Sequence, residues 1–426
     1  PLLLLPTKWP AGAVDVLVEL ESKLQYNSAG STFGIGNRFE RHLAIEQLRH
    51  ATWIAGHLGT GVLDEFGDRD VGMWTPGSSF DPRCLLSETA MIRTAMGRFF
   101  GEQERPPMTY LILPYRRGGG AVAAQRRVGG IVAWMDMGQA WNGRLRLALA
   151  QQLVYRWIGE QLWVGPDDPS HEAESYWFIE GFVRYYAREL LFRFGMLEPG
   201  EYLDEMNALA AEQATNPLRV KGNIELASGA SSDNRAVALL RARGALYATR
   251  LDSQIRKASK GKKRLDQVII DLMSESKGSH KTLPVAALIG KLHAELGDLA
   301  DQEYEQIIVR GKTVEIPTDA LGACFLSTQI RFPIEAPGFN PDATLESANH
   351  AVVGLEPGGL AARAGLSERD TVVQIRSASA ATKGRMEVVV MREGKETTLT
   401  FSPFSGAVSA LGWKRDTRVK DDKCVP

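Results

Sequence analysis

Several stretches of this 426-residue chain carry side chains at spacings that invite chemistry. His171-Glu172-Ala173-Glu174-Ser175 begins like a helical His-Glu-x-x-His, in which two imidazoles four residues apart hold zinc and the glutamate acts as base. Ser175 stands where the second histidine would be, so His171 reads as an exposed first-turn residue and not as a ligand. The seven histidines form no other cluster, and Cys84, Cys324 and Cys424 have neither a metal nor a redox spacing. An odd cysteine count argues against a disulfide framework, and Cys84 is expected to be a small buried apolar residue. Gly118-Gly119-Gly120-Ala121-Val122-Ala123 lacks the Lys-Ser/Thr of a phosphate loop and is expected to be a flexible connection. The basic run from Arg256 to Arg264 could attract an anion. A solvated helix end, with cations complementing the dipole, explains it more simply.

The elements that would position such groups centre on residues 147–186. Leu145, Leu149, Leu153 and Trp157, with Leu147, Ala150, Val154 and Ile158 beside them, recur at helical spacing. Asp168-Pro169 then reads as an N-cap followed by a first-turn proline, with Glu172 and Glu174 close behind, so a second helix is expected from about Pro169 past Tyr186.

Two helices joined by a short acidic loop, with Trp177, Glu180, Gly181, Tyr185 and Tyr186 on the second, resemble the M61 glycyl aminopeptidases, a gluzincin family. That family carries His-Glu-x-x-His-x-Trp on the first helix and Trp-x-x-Glu-Gly-x-x-x-Tyr-Tyr on the second. Here the second motif is intact. In the first only Trp157 remains, with Gln151 and Gln152 in place of the His-Glu pair and Tyr155 in place of the second histidine. At the place of the family's Gly-Gly-Leu-Glu-His, which anchors the substrate's amino end, stands Gly118-Gly119-Gly120-Ala121-Val122-Ala123, with neither the Glu nor the His. The region from Leu240 to Gly244 is similar to the family's Tyr-Tyr-x-Lys-Gly helix with Leu240-Arg241 in place of the tyrosine pair, and Ile308 to Pro317 matches a closing strand region.

A zinc hydrolase needs about three good ligands and a base. An amide oxygen is a poor zinc ligand, a phenol near pKa 10 a reluctant one, and Gln152 cannot take a proton. The leading reading is therefore an M61-like protein without zinc chemistry and without another cofactor, acting as a peptide or small-molecule binding or scaffold protein. A second reading is a metal-independent enzyme using Glu180, Tyr155 and Arg241 for acid/base chemistry. A third is a divergent aminopeptidase. Gln151, Gln152, Trp157, Trp177, Tyr185 and Tyr186 are the candidate binding residues. Glu180 is expected to pair with Arg156 or Arg184, and hydrogen bonds among Gln151, Gln152, Tyr155 and Glu180 are expected to fill the former metal position.

The same resemblance implies an α+β multidomain chain. A shortened N-terminal β domain would occupy residues 1–75 and include Val14 to Val18, with turns from Asn27 to Gly36. A thermolysin-like, mainly helical domain would occupy 76–332, with a helix over Leu85–Phe100 and a buried strand over Met108–Pro114. Residues 333–404 resemble a PDZ domain of the bacterial protease type, through Val352 to Leu366 and Arg369-Asp370, with strands at Thr371–Ile375, Glu387–Arg392 and Thr397–Phe401. Its carboxylate-binding loop would lie near Ala348-Asn349-His350, and its partner would be a peptide or protein C-terminus. Residues 405–426 read as a polar tail.

Net charge is −1, which gives no global field to recruit nucleic acid or an anionic membrane. No apolar run approaches the ~18 residues of a membrane span, and Pro1 to Pro6 is too short for a signal-peptide core. Two compartments stay open: an exported chain whose leader has been removed, or a cytoplasmic one.

Overall fold

The structure, a computed structural model, describes residues 12–20, 28–64, 69–102, 106–115, 117–118, 122–276, 282–378 and 383–424. Gly119, Gly120 and Ala121 of the expected glycine loop, with Pro1 to Pro6 and Asn27, lie outside them. The chain divides into two compact units, residues 1–152 with 336–403, and residues 153–335 with 404–426.

The first unit opens with the antiparallel pair β1 (Val14–Glu19) and β4 (Arg38–Leu43), and the small sheet β3-β2-β5, where β2 is Ser28–Ser31, β3 Gly34–Ile35 and β5 Trp53–Gly56. The stretch expected as turns therefore holds two short strands. The short helix α1 (Ile45–Arg49) follows β4. A mixed five-stranded sheet comes next, ordered β10-β11-β8-β7-β6, with β6 Gly59–Leu63, β7 Asp70–Trp74, β8 Thr109–Pro114, β10 Val122–Arg127 and β11 Gly130–Met135. Its central strands run parallel, which requires both faces covered. Accordingly Met73, Leu111 and Val132 are buried together with Leu58. α2 (Pro82–Phe99) starts where Asp81 accepts from the Arg83 N–H at 2.9 Å and proline occupies the first turn. Cys84 lies on its exposed side and is a free, exposed thiol rather than a core residue, because the buried face belongs to Leu85, Leu86, Ala90, Ile92 and Met96. β9 (Arg117–Gly118) joins the later sheet. α3 (Gly143–Val154) follows, and the boundary between the units falls after Gln152.

The second unit is mainly helical. A seven-residue 3-10 turn, Pro169–Ser175, precedes α4 (Tyr176–Arg193), and Asp168 caps that turn by accepting from the Ser170 N–H at 2.9 Å. The cap stands where the sequence places it, but one tight turn intervenes before the α-helix. Then come α5 (Pro199–Thr215), α6 (Asn223–Gly229), α7 (Asn234–Ala258), α8 (Leu265–Ser276), α9 (Val285–Leu296) and α10 (Leu299–Glu303), followed by a π-helical turn, Tyr304–Val309.

β12 (Phe325–Glu335) leads out of this unit and β16 (Phe404–Arg415) returns to it, the two paired antiparallel from Phe325↔Arg415 to Glu335↔Phe404. Residues 336–403, part of the first unit, fall between these two strands in sequence. They contain α11 (Pro341–Glu346), α12 (Leu360–Arg363), and β13 (Thr371–Arg376), β14 (Met386–Arg392) and β15 (Lys395–Phe401), in the sheet order β15-β14-β13-β9. Their core gathers Phe339, Ala361, Leu366, Val372, Ile375, Val388 and Val390.

Residues 405–426 do not form a tail. Residues 405–415 belong to the long strand β16, whose Trp413 is buried, and Cys424 is bonded to Cys324. The odd cysteine count concealed this bridge: the unpaired third residue is Cys84.

Candidate functional site

The site is built where α4 crosses α7. A Cβ on Gly181 would lie 2.5 Å from the Gly244 Cα, and one on Gly244 would lie 1.7 Å from the Trp177 carbonyl oxygen. Only glycine at both places lets the two backbones touch. Glu180 precedes Gly181 and Arg241 lies three residues before Gly244, so the crossing brings the two side chains together. The Glu180 Oε2 accepts from Arg241 Nη2 at 2.8 Å and from Nε at 3.1 Å. The Tyr155 phenol lies close enough to the same carboxylate to feel its charge. Glu180, Tyr155 and Arg241 therefore form one cluster, while Arg184, one of the two arginines expected beside Glu180, is engaged elsewhere. Arg184 turns to Glu205, with Nη2 donating to Oε2 at 3.1 Å.

Burial, followed by the Glu180 charge, holds the Tyr155 phenol well above its ordinary range, while Arg241 opposes this. For Arg241, burial alone would lower the guanidinium, but Glu180 and Tyr155 outweigh it and leave it raised. The cluster is thus a neutral phenol and a closed ion pair. Its side chains remain partly open to solvent, 19% for Glu180 and 36% for Arg241. Tyr176, at the start of α4, also lies in this electrostatic field. Sequence spacing singles out neither Tyr176 nor Glu205, since both owe their place to the helix crossing and not to a local motif.

Gln151 and Gln152 belong to the first unit, where the Gln152 amide oxygen accepts from the Arg126 backbone N–H at 2.7 Å. Of the four residues expected to share a network, Gln152 turns its oxygen to the Arg126 backbone instead. The Gln152 oxygen thus serves the β10 backbone, and Glu180 serves Arg241.

Trp157, Trp177, Tyr185 and Tyr186 are at most 1% exposed and are packed core, not an open lining. Trp177 sits against Phe178, Phe182, Tyr247 and Tyr304, with ring centroids 5.7–6.1 Å apart. His171 is exposed as expected, and Glu174 at 2.7 Å raises its pKa.

Further along α4 lies a second, buried polar cluster. The Glu189 Oε1 accepts from Arg188 Nη2 at 2.9 Å and from the Tyr202 hydroxyl at 2.7 Å. Arg193 pairs with Asp266 at 2.7 Å. Asp252 receives Arg256 at 3.0 Å and Arg264 at 2.8 Å. The basic run is thus divided and is not wholly a solvated helix end: its two arginines turn inward to buried acids, while Lys263 pairs outward with Glu295.

The fold family implies a zinc ion, and the donors here do not fit one. Among the described residues no three His, Cys, Asp or Glu side chains gather to hold a metal, and the one acid of the motif is already committed to a guanidinium.

Residues 161–257 match the family model of the M61 glycyl aminopeptidases. Among solved structures, an aminopeptidase N family protein from Idiomarina loihiensis superposes with a TM-score of 0.62 at 14% identity, over 94% of this chain and 77% of that one. An M1 zinc metallopeptidase from Deinococcus radiodurans gives a TM-score of 0.43 at 18% identity, over 72% and 64%. No curated protein matches the chain. The chain is thus a mixed α+β protein with an aminopeptidase N-like fold, whose α4–α7 region is similar to the M61 glycyl aminopeptidases.

Proposed function

We propose that this aminopeptidase-like chain uses the α4–α7 site to bind a peptide or small molecule and does not perform zinc hydrolysis. One observation carries the proposal: the Glu180 carboxylate, which a gluzincin would offer to the metal, instead accepts two N–H donors from Arg241. A divalent cation at that carboxylate must displace a guanidinium that stays charged at every accessible pH. Gln151 and Tyr155, at the aligned ligand positions, supply no compensating charge. The acid/base reading fares less well. A phenol raised above its usual range is a weak proton donor at neutral pH, and the Glu180 oxygen is already occupied by two N–H donors of Arg241.

The test is metal content and turnover together. Protein purified without chelator and then dialysed should hold well under one zinc per chain. It should not cleave glycyl or alanyl substrates, with or without chelator. One equivalent of zinc, lost together with activity in Glu180→Ala, overturns the proposal.

Within residues 336–403, the same proposal assigns a PDZ-like role in binding a peptide C-terminus. Support comes from the Gly359-capped helix α12, the β13–β14–β15 meander, and Asp370, which is held by Arg392 Nε at 2.6 Å and the Ser367 N–H at 2.9 Å. The Ala348–His350 stretch forms a 3-10 turn, with His350 Nδ1 bonded to the Leu345 carbonyl at 2.8 Å. A C-terminal peptide library presented to the full chain should yield binders that compete with one another. A library without a single binder removes this part of the reading.

A further inference from the structure

A pocket of about 280 Å³ opens in the first unit, where the β2–β3 turn meets the starts of β7 and β8. Its wall includes Thr32, Phe33, Arg41, Arg69, Thr109 and Gly129. The two arginines decide its character. Arg41 donates to two carbonyl oxygens, of Phe33 at 2.9 Å and of Glu40 at 2.8 Å, and its guanidinium lies 5.9 Å from the Phe33 ring centroid. It has no carboxylate partner among the described residues. Arg69 has neither a hydrogen bond nor an ion pair among them.

Two described acids next to these arginines in sequence, Glu40 and Asp70, are committed elsewhere. Glu40 accepts from Arg38 at 2.9 Å. Asp70, the first residue of β7 and next to Arg69, is wholly buried, paired with Arg93 at 3.2 Å and accepting from the Met108 N–H at 2.9 Å. The Asp70 charge is thus spent inside, while Arg69 is exposed. The pocket therefore carries two positive charges with no acid among the described residues to answer them.

Its floor is fixed. Gly129 has φ +77°, and a Cβ there would lie 2.5 Å from the Thr32 carbonyl oxygen. The β10–β11 turn is thus packed directly on the β2–β3 turn and holds the rim at a set width. The volume sits at the low end of small-molecule sites, roughly 300–1,000 Å³. Guanidinium forks match the oxygens of phosphate and carboxylate groups.

We propose that this pocket binds a small soluble molecule through an oxyanion, a phosphomonoester in preference to a monocarboxylate, because two guanidiniums that no acid among the described residues answers match a dianion. Phe33 and the apolar edge of Val71 and Met108 would receive the rest of the ligand.

The test uses the full chain with inorganic phosphate and acetate titrated separately, read by 31P line broadening for phosphate and by thermal shift for both. Phosphate should bind saturably and more tightly than acetate. Arg41→Gln and Arg69→Gln should each weaken phosphate binding at least tenfold, and together abolish it. Arg38→Gln removes a neighbouring arginine already answered by Glu19 and Glu40, so it should leave binding unchanged, and circular dichroism should show all variants folded. Absence of saturable phosphate binding overturns the proposal, as does binding that survives the double variant. Equal loss in Arg38→Gln would reveal only a diffuse surface field and also overturns it.

Discussion

Replacing Gly244 with alanine tests the link between the helix crossing and the site. The new Cβ would sit 1.7 Å from the Trp177 carbonyl oxygen. An ordinary carbon–oxygen contact is about 3.3 Å, so α7 must retreat from α4 by about 1.6 Å. The obstacle is backbone, which cannot swing aside as a side chain would, so the cost falls near the upper end of overpacking, about 3 kcal/mol. Alanine's better helix propensity returns about 1 kcal/mol, which leaves a net loss of about 2 kcal/mol. That corresponds to roughly thirtyfold more frequent opening of the pair, on the rule that 1.4 kcal/mol is tenfold. The same retreat should open the 2.8 Å Glu180–Arg241 contact. Amide hydrogen exchange on α4 and α7 suits a two-unit chain, because it does not assume one cooperative transition. Gly290→Ala is the control. Gly290 lies inside α9, where an added Cβ would meet nothing within 4 Å, and this substitution should stabilise by about 0.4–1 kcal/mol. If exchange in α4 and α7 rises no more in Gly244→Ala than in Gly290→Ala, the close crossing does not position the site.

The buried acid Asp252 has its pKa lowered: burial opposes ionisation, but the hydrogen bond and charge of Arg264, with Arg256, prevail. Its contribution to stability is therefore complete above an unfolded value of about 3.9 and is lost as pH falls through the lower folded value. Asp252→Asn should flatten the acid limb of stability against pH and cost about 3–5 kcal/mol at neutral pH; an unchanged acid limb contradicts the assignment. In the first unit, Arg93→Met should destabilise by about 3–5 kcal/mol by leaving Asp70 buried and unpaired. Adding Asp70→Asn should recover part of that loss in chemical denaturation, and no recovery would argue against a charge effect. Opening the Cys324–Cys424 bridge, which spans 100 residues of sequence, should cost up to about 4.7 kcal/mol in the chain-entropy limit. Mass spectrometry should find one free thiol, Cys84, in the untreated protein. Three free thiols would remove the bridge.

The helices around the site are legible in the sequence because their signals are local. The Asp168-Pro169 cap, the apolar periodicity of α2 and the Glu393-Gly394 turn between β14 and β15 each lie within a few residues. The Tyr155, Glu180 and Arg241 cluster is legible only because a family pattern places three distant positions together. Its actual pairing is not. Arg184 is one helical turn from Glu180 and is the nearer candidate in sequence, yet Glu205 on α5 claims it. Arg256 and Arg264 read as solvated because a charge run does not reveal a buried Asp252 facing it from another part of the fold. β16 reads as a tail because its partner β12 lies some eighty residues earlier, beyond the reach of any periodicity.

The separation between those two strands also sets an order of events during synthesis. β12 leaves the ribosome with its pairing edge open, and the complement at Phe404–Arg415 follows only after residues 336–403 have been made. Translation adds roughly 5–20 residues per second, so the wait is on the order of 4 to 16 seconds. Over that interval an eleven-residue strand, FLSTQIRFPIE, is exposed as an unpaired template. Its Arg331, Pro333 and Glu335 interrupt the apolar run with two charges and a missing N–H, the kind of residue that blunts edge-to-edge association. The sequence of β12 thus answers a kinetic hazard that the finished hairpin no longer displays.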